Sequence, residues 1–115
     1  MSYCVGISTK YGLAFMSDTR TNAGLDDLSQ FKKLFTWGRS DDRLFTLLSA
    51  GNLATTQAVV SAIDQDSKSN KSRLLRCKSM FEVAEFVGQQ LSQKVKQHSE
   101  NGVNGESKFQ ANLIL

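Results

Sequence analysis

Ser2 is the residue with the most chemistry to offer. If Met1 is removed, Ser2 carries a hydroxyl and a free α-amino group on one residue. An α-amine has an ordinary pKa of about 7.7–8.0, so part of it is neutral near pH 7 and can accept the hydroxyl proton. A residue of this kind forms its own nucleophile–base pair. By itself, a serine at position 2 is also an ordinary chain start. The sequence offers little else for stock catalysis. Its one histidine, His98, sits in a polar stretch near the expected end of a helix and reads as a surface residue. That disfavours Ser-His-Asp and Cys-His arrangements. There is no G-x-x-x-x-G-K-[ST] loop and no G-x-G-x-x-G loop. Cys4 and Cys77 are too few for a disulfide scaffold or a four-cysteine zinc site, and read as free thiols. The basic stretch Lys68, Lys71, Arg73, Arg76 and Lys78 has no interleaved aromatics, so it reads as a solvated face rather than a nucleic-acid patch.

The elements that must position Ser2 follow from periodicity. Residues 3–8 alternate as a strand, a turn follows at Lys10-Tyr11-Gly12, and residues 13–17 form a second strand ending at Asp18, so the pair reads as a hairpin. Residues 19–30 are polar and read as a loop. Residues 32–37 read as a third strand and 38–42 as its turn. Residues 43–50 (RLFTLLSA) are almost unbroken apolar, which predicts a fourth strand buried on both faces. Gly51-Asn52 then marks a change of period, and a helix begins at Leu53 with Val59, Val60 and Ile63 on its apolar face. Residues 64–72 read as a loop or a frayed end. A second helix starts at Ser79, where Ser79 and Glu82 match a capping box, and Met80, Val83, Ala84, Val87, Leu91 and Val95 form its stripe. Residues 98–107 read as a loop, and residues 109–115 alternate as a last strand. Four strands, two helices and a strand make an α+β pattern.

Composition agrees with one globular unit. The 115 residues are 40% hydrophobic and 22% charged, with a formal net charge of +3. No apolar run approaches the roughly 20 residues of a spanning helix. The first residues lack the basic and apolar regions of a secretory signal, so a cytoplasmic setting is the expectation. The charge is too mild to argue for nucleic acid.

Four segments follow one another between residues 1 and 57: M-S-Y-C-V-G-I, L-A-F-M-S-D-T-R-T-N, F-K-K-L-F and L-L-S-A-G-N-L-A-T-T-Q. In this order and spacing they resemble proteasome-type N-terminal-nucleophile hydrolases, and within these the bacterial proteasome-related branch called Anbu, the ancestral β-subunit. The resemblance implies an αββα sandwich of which residues 1–115 are the N-terminal half, a single domain truncated on its C-terminal side. It places the nucleophile at Ser2, where the family usually has threonine. The family's aspartate at the end of the second strand falls on Asp18, its lysine opening the third strand on Lys33 beside Lys32, and its oxyanion-facing glycine on Gly51. Lys33 would then favour the neutral amine, Asp18 would hold Lys33, and Gly51 would let a backbone N–H approach the oxyanion. Without the resemblance, Asp18 and Lys33 read as a structural ion pair and Gly51 as a turn glycine. The implied function is a proteasome-like peptidase subunit acting through an acyl-enzyme, with a catalytically silent assembly subunit as the alternative. No metal or organic cofactor is implied. The implied partners are a peptide or unfolded protein substrate, and either further copies of the chain or a complementary C-terminal half. Neither nucleic acid nor a membrane is implied.

Overall fold

The computed structural model describes residues 2–22, 28–39, 41–100 and 111–114. Met1, Phe109 and Leu115, on which some sequence expectations fall, lie outside them, as do most of the expected loop at 98–107 and the middle of the expected loop at 19–30. Two strands, β1 (Cys4–Thr9) and β2 (Gly12–Ser17), form the expected antiparallel hairpin, with Cys4 opposite Ser17 and Thr9 opposite Gly12. The Tyr11 N–H donates to Thr9 Oγ1, and the same hydroxyl donates to the Gly12 carbonyl, which fixes the turn.

The stretch expected as a loop at 19–30 instead opens and closes with short paired strands, β3 (Arg20–Asn22) and β4 (Leu28–Gln30), with Arg20 opposite Gln30. Three-residue polar strands carry too little alternation to be read from sequence. The main sheet has the order β5–β6–β7, with β5 (Leu34–Arg39), β6 (Arg43–Gly51) and β7 (Ala111–Ile114) all antiparallel. At Gly38 the strands run so close that a Cβ would come within 2.1 Å of the Arg43 carbonyl oxygen, so only glycine fits this position without a backbone shift.

Three helices follow: α1 (Leu53–Lys68), α2 (Arg73–Arg76) and α3 (Met80–Glu100). None of the described helices is long and apolar enough to cross a membrane. The core lies between α1, α3 and one face of the main sheet. Trp37 and Leu47 from the sheet meet Val59 and Ile63 of α1, Leu74 of α2, and Val83, Phe86 and Val87 of α3. Trp37 also donates its indole N–H to Asp64 Oδ1 at 2.8 Å, which ties α1 to β5. On the opposite face of the main sheet, β1 and β2 pack across β6. Leu47 therefore enters the helix side, while its neighbour Leu48, which the two-residue strand period turns to the other side, is also fully buried. Helices, sheet and hairpin stack as layers. The molecule is an α+β assembly with antiparallel strands and helices on one face, as part of an αββα sandwich requires.

Several details depart from expectation. Only the second half of β6 is buried on both faces, because Leu44 is 73% exposed. α1 continues through residues 64–68, supported by the Lys68–Asp64 pair one turn apart and the Ser67 Oγ bond to the Asp64 carbonyl. The turn after it is built by Asp66, whose carboxylate accepts from Ser72 Oγ and from the Arg73 and Leu74 N–H groups, and so delivers Leu74 to the core. Burial raises the Asp66 pKa, but these three donors outweigh it and leave it below the ordinary carboxylate value. At the start of α3, the Glu82 N–H donates to Ser79 Oγ as in a capping box. The return bond differs: Glu82 accepts from the Lys78 N–H, one residue upstream. The buried stripe of α3 uses Phe86, whereas Met80 and Ala84 are exposed.

Candidate functional site

The site is assembled at the junction of the chain start, the end of β2, the approach to β5 and the end of β6. Tyr3 extends the hairpin by one step. The Asp18 N–H donates to the Tyr3 carbonyl at 3.0 Å, and Asp18 Oδ1 accepts from the Tyr3 N–H at 2.9 Å. Asp18 thus fixes the backbone directly after Ser2. The same carboxylate accepts from Lys33 Nζ at 2.9 and 3.1 Å, and Oδ2 also accepts from the Arg20 N–H. Lys33 is buried, and its third donor direction goes to the Arg20 carbonyl. An ammonium has three donors, and here all three have acceptors. Left unpaired at this depth, it would cost several kcal/mol, about the penalty for any buried ion. The Tyr3 N–H, and then the Lys33 ammonium, hold the Asp18 carboxyl below the ordinary aspartate range.

Of the two adjacent lysines, Lys33 takes the buried position against Asp18, while Lys32 is exposed with its ammonium 5.6 Å from the centre of the Phe35 ring. The Lys33 carbonyl accepts from the Ser49 N–H at 2.9 Å, carrying the β5–β6 ladder up to the site. Cys4 Sγ donates to the Ser49 carbonyl at 3.6 Å, which joins the hairpin to β6. Burial raises the Cys4 pKa, Asp18 adds to this, and Lys33 opposes it. The balance favours the thiol over the thiolate at Cys4.

Ser2, Lys33 and Gly51 line one cleft of about 570 Å³, and Asp18 stands one bond behind Lys33. Gly51 has φ +107° at the exit of β6. A side chain there would be strained by about 1–3 kcal/mol, so the residue type is demanded by the backbone. Asn52 follows as the cap of α1, with its Oδ1 accepting from the Thr55 N–H at 2.9 Å. The first turns of α1 supply one wall of the cleft through Leu53, Thr56 and Val60.

The four expected residues thus converge. The Tyr3 N–H and the Arg20 carbonyl were not foreseen, because they act through backbone atoms that every residue has and that leave no mark in a sequence. His98 departs from its expected surface position. It is half-buried, with Nδ1 3.4 Å from the Oγ1 of the fully buried Thr55.

No family model matches the chain, and no curated protein matches it. Solved structures do. An Anbu (Gly-1) mutant from Hyphomicrobium sp. strain MC1 is 38% identical with a TM-score of 0.82, over 98% of this chain and 45% of that one. Anbu (ancestral beta-subunit) from Yersinia bercovieri is 35% identical with a TM-score of 0.83, over 98% and 45%. The helical assembly of the Anbu complex from Pseudomonas aeruginosa is 30% identical with a TM-score of 0.83, over 98% and 46%. The chain therefore spans a little under half the length of these proteins.

Proposed function

Because the chain belongs to the Anbu family of ancestral β-subunits, we propose that it forms the nucleophile-bearing part of a proteasome-related peptidase subunit. Ser2 is the nucleophile once Met1 has been removed. Its freed amine takes the hydroxyl proton, Oγ attacks a substrate peptide carbonyl, and the tetrahedral oxyanion is met by the Gly51 backbone N–H. One such donor is worth ~2.7–4 kcal/mol in acyl-transfer enzymes. Collapse expels the amine half of the peptide with a proton from the Ser2 α-ammonium and leaves an ester on Ser2. Water, deprotonated by the same amine, hydrolyses that ester. The Lys33 ammonium, which lines the same cleft as Ser2, would favour the neutral form of the amine.

The observation that carries this reading is a buried, fully paired Lys33 ammonium in the same cleft as Ser2, with Asp18 bonding both Lys33 and the backbone after Ser2. A purely structural ion pair has no need of a cleft. The alternative, a silent subunit that only builds an assembly, draws support from the helical assembly of the Pseudomonas aeruginosa relative. Oligomer formation is proposed for this chain in either case.

The test begins with the intact mass of the native protein, expected to lack Met1. A β-lactone or epoxyketone should then label Ser2, and Ser2→Ala should lose both labelling and peptide turnover. A retained Met1 with no labelling, or a label on Cys4, would overturn the peptidase reading in favour of the silent subunit.

A further inference from the structure

The lining of the cleft is chemically one-sided. Phe31, Phe35, Leu53 and Val60 give it apolar walls, while Arg20 and Lys32, both exposed side chains, give it two cations. Lys33 adds a third, but Asp18 already neutralises it. No residue lining the cleft, among those described, is an aspartate or glutamate. Neither Arg20 nor Lys32 forms an ion pair with a described carboxylate. Lys32 acts on Asp64 only as the least of the causes lowering that carboxyl, and Asp64 is already engaged by Trp37 and Lys68 outside the cleft. The wall formed by α1 starts at a helix N-terminus with no acidic residue in its first turn, which leaves the dipole's positive end uncompensated by charge. Among the described residues the cleft has apolar walls and excess positive charge, which suits a short aliphatic stem that ends in an anion.

We propose that this cleft selects an acidic side chain, aspartate or glutamate, on the substrate residue whose carbonyl faces Ser2. The carboxylate meets Lys32 and Arg20, and its methylene groups lie against Phe35 and Val60. A lysine or arginine side chain meets like charge there, and a leucine fills the walls without using the cations. The assignment rests on the proposed peptidase role of the cleft and names its substrate class. Exposed ion pairs are each worth a factor of about 1.4 to 5, so two cations give glutamate roughly a two- to 25-fold advantage over its uncharged isostere glutamine. Salt screens such contacts.

The test uses the full-length protein in its native assembly, carrying Ser2→Ala so that nothing is turned over. Fluorescein-labelled peptides Ala-Ala-Ala-X, with X as Glu, Gln, Leu or Lys, are titrated by fluorescence anisotropy. The Glu peptide should bind at least about twofold tighter than the Gln peptide at low salt. The ratio should fall towards one in 0.5 M NaCl and in the double variant Arg20→Gln with Lys32→Gln. Equal Glu and Gln affinities, a preference for Lys, a ratio untouched by the double variant, or no binding of any peptide would each overturn the assignment. Labelling of Ser2 in the unsubstituted protein is scored separately. Label without glutamate preference removes the specificity and keeps the peptidase. Glutamate preference without label keeps the acidic selectivity of the cleft and removes the peptidase.

Discussion

Asp18 joins what would otherwise be two separate contacts. Its carboxylate bonds the backbone after Ser2 and the Lys33 ammonium together, so the two side chains form one unit. Lys33→Ala should lower turnover at least 100-fold, and adding Asp18→Ala should cost little more, because residues that share one function are not additive. A double-mutant cycle on kcat/KM checks this, and additive losses would mark two independent structural roles. The pair also has a pH signature. The Asp18 pKa is lowered in the folded chain, so its stabilisation is complete above the unfolded value near 3.9 and is lost as pH falls through the lower folded value. Stability of the parent protein should therefore decline on acidification below about pH 4, and Asp18→Asn should flatten that part of the curve in urea midpoints measured from pH 2 to 6.

At the scale of elements, β6 combines two environments within nine residues. Leu47 is fully buried against the helices, whereas Leu44 is 73% exposed three positions earlier. Leu47→Ala should cost about 2–5 kcal/mol, and Leu44→Ala should stay within about 0.5 kcal/mol, as surface changes do. Urea unfolding of the assembled protein measures both, and equal losses would restore burial along the whole strand. The sequence made the hairpin, the long strand and the two long helices legible: residues 3–8 alternate, residues 43–50 are almost unbroken apolar, and each helix carries an apolar face at helical spacing. It left residues 64–72 open as a loop or a frayed helix end, because charge alone marks neither. Asp64, Asp66 and Lys68 look like a loop, yet they bond within and across α1 and its following turn. The short β3–β4 pair was illegible for the opposite reason: its strands are too brief and polar to show a pattern. Asp18, Lys33 and Gly51 became candidates through a resemblance between ordered motifs. Their spatial convergence depends on backbone contacts to Tyr3, Arg20 and Ser49 that no residue type announces.

The whole molecule leaves one layer bare. Register places Ile7 beside Ala14 and Val5 beside Met16, so Tyr3, Ile7 and Met16 share the face of the β1–β2 hairpin that points away from β6, and they are 74%, 50% and 65% exposed. The relatives it matches are about twice its length. Contiguous apolar surface of more than a few hundred Å² marks a contact site. Residues 1–115 produced alone should sediment well above 12.7 kDa and bind a hydrophobic dye, and Tyr3→Thr with Met16→Thr should move the material towards monomer. Analytical ultracentrifugation reads this out. A cooperative, dye-silent monomer of the unsubstituted chain would show that the hairpin face needs no cover.

The two bonds between Asp18 and Tyr3 lie on the C-terminal side of Ser2. They moor the backbone directly after Ser2 to the strand end that carries Asp18. If Ser2 acts as proposed, removal of Met1 severs neither bond, and the freed amine would stay tethered beside the cleft it is to serve.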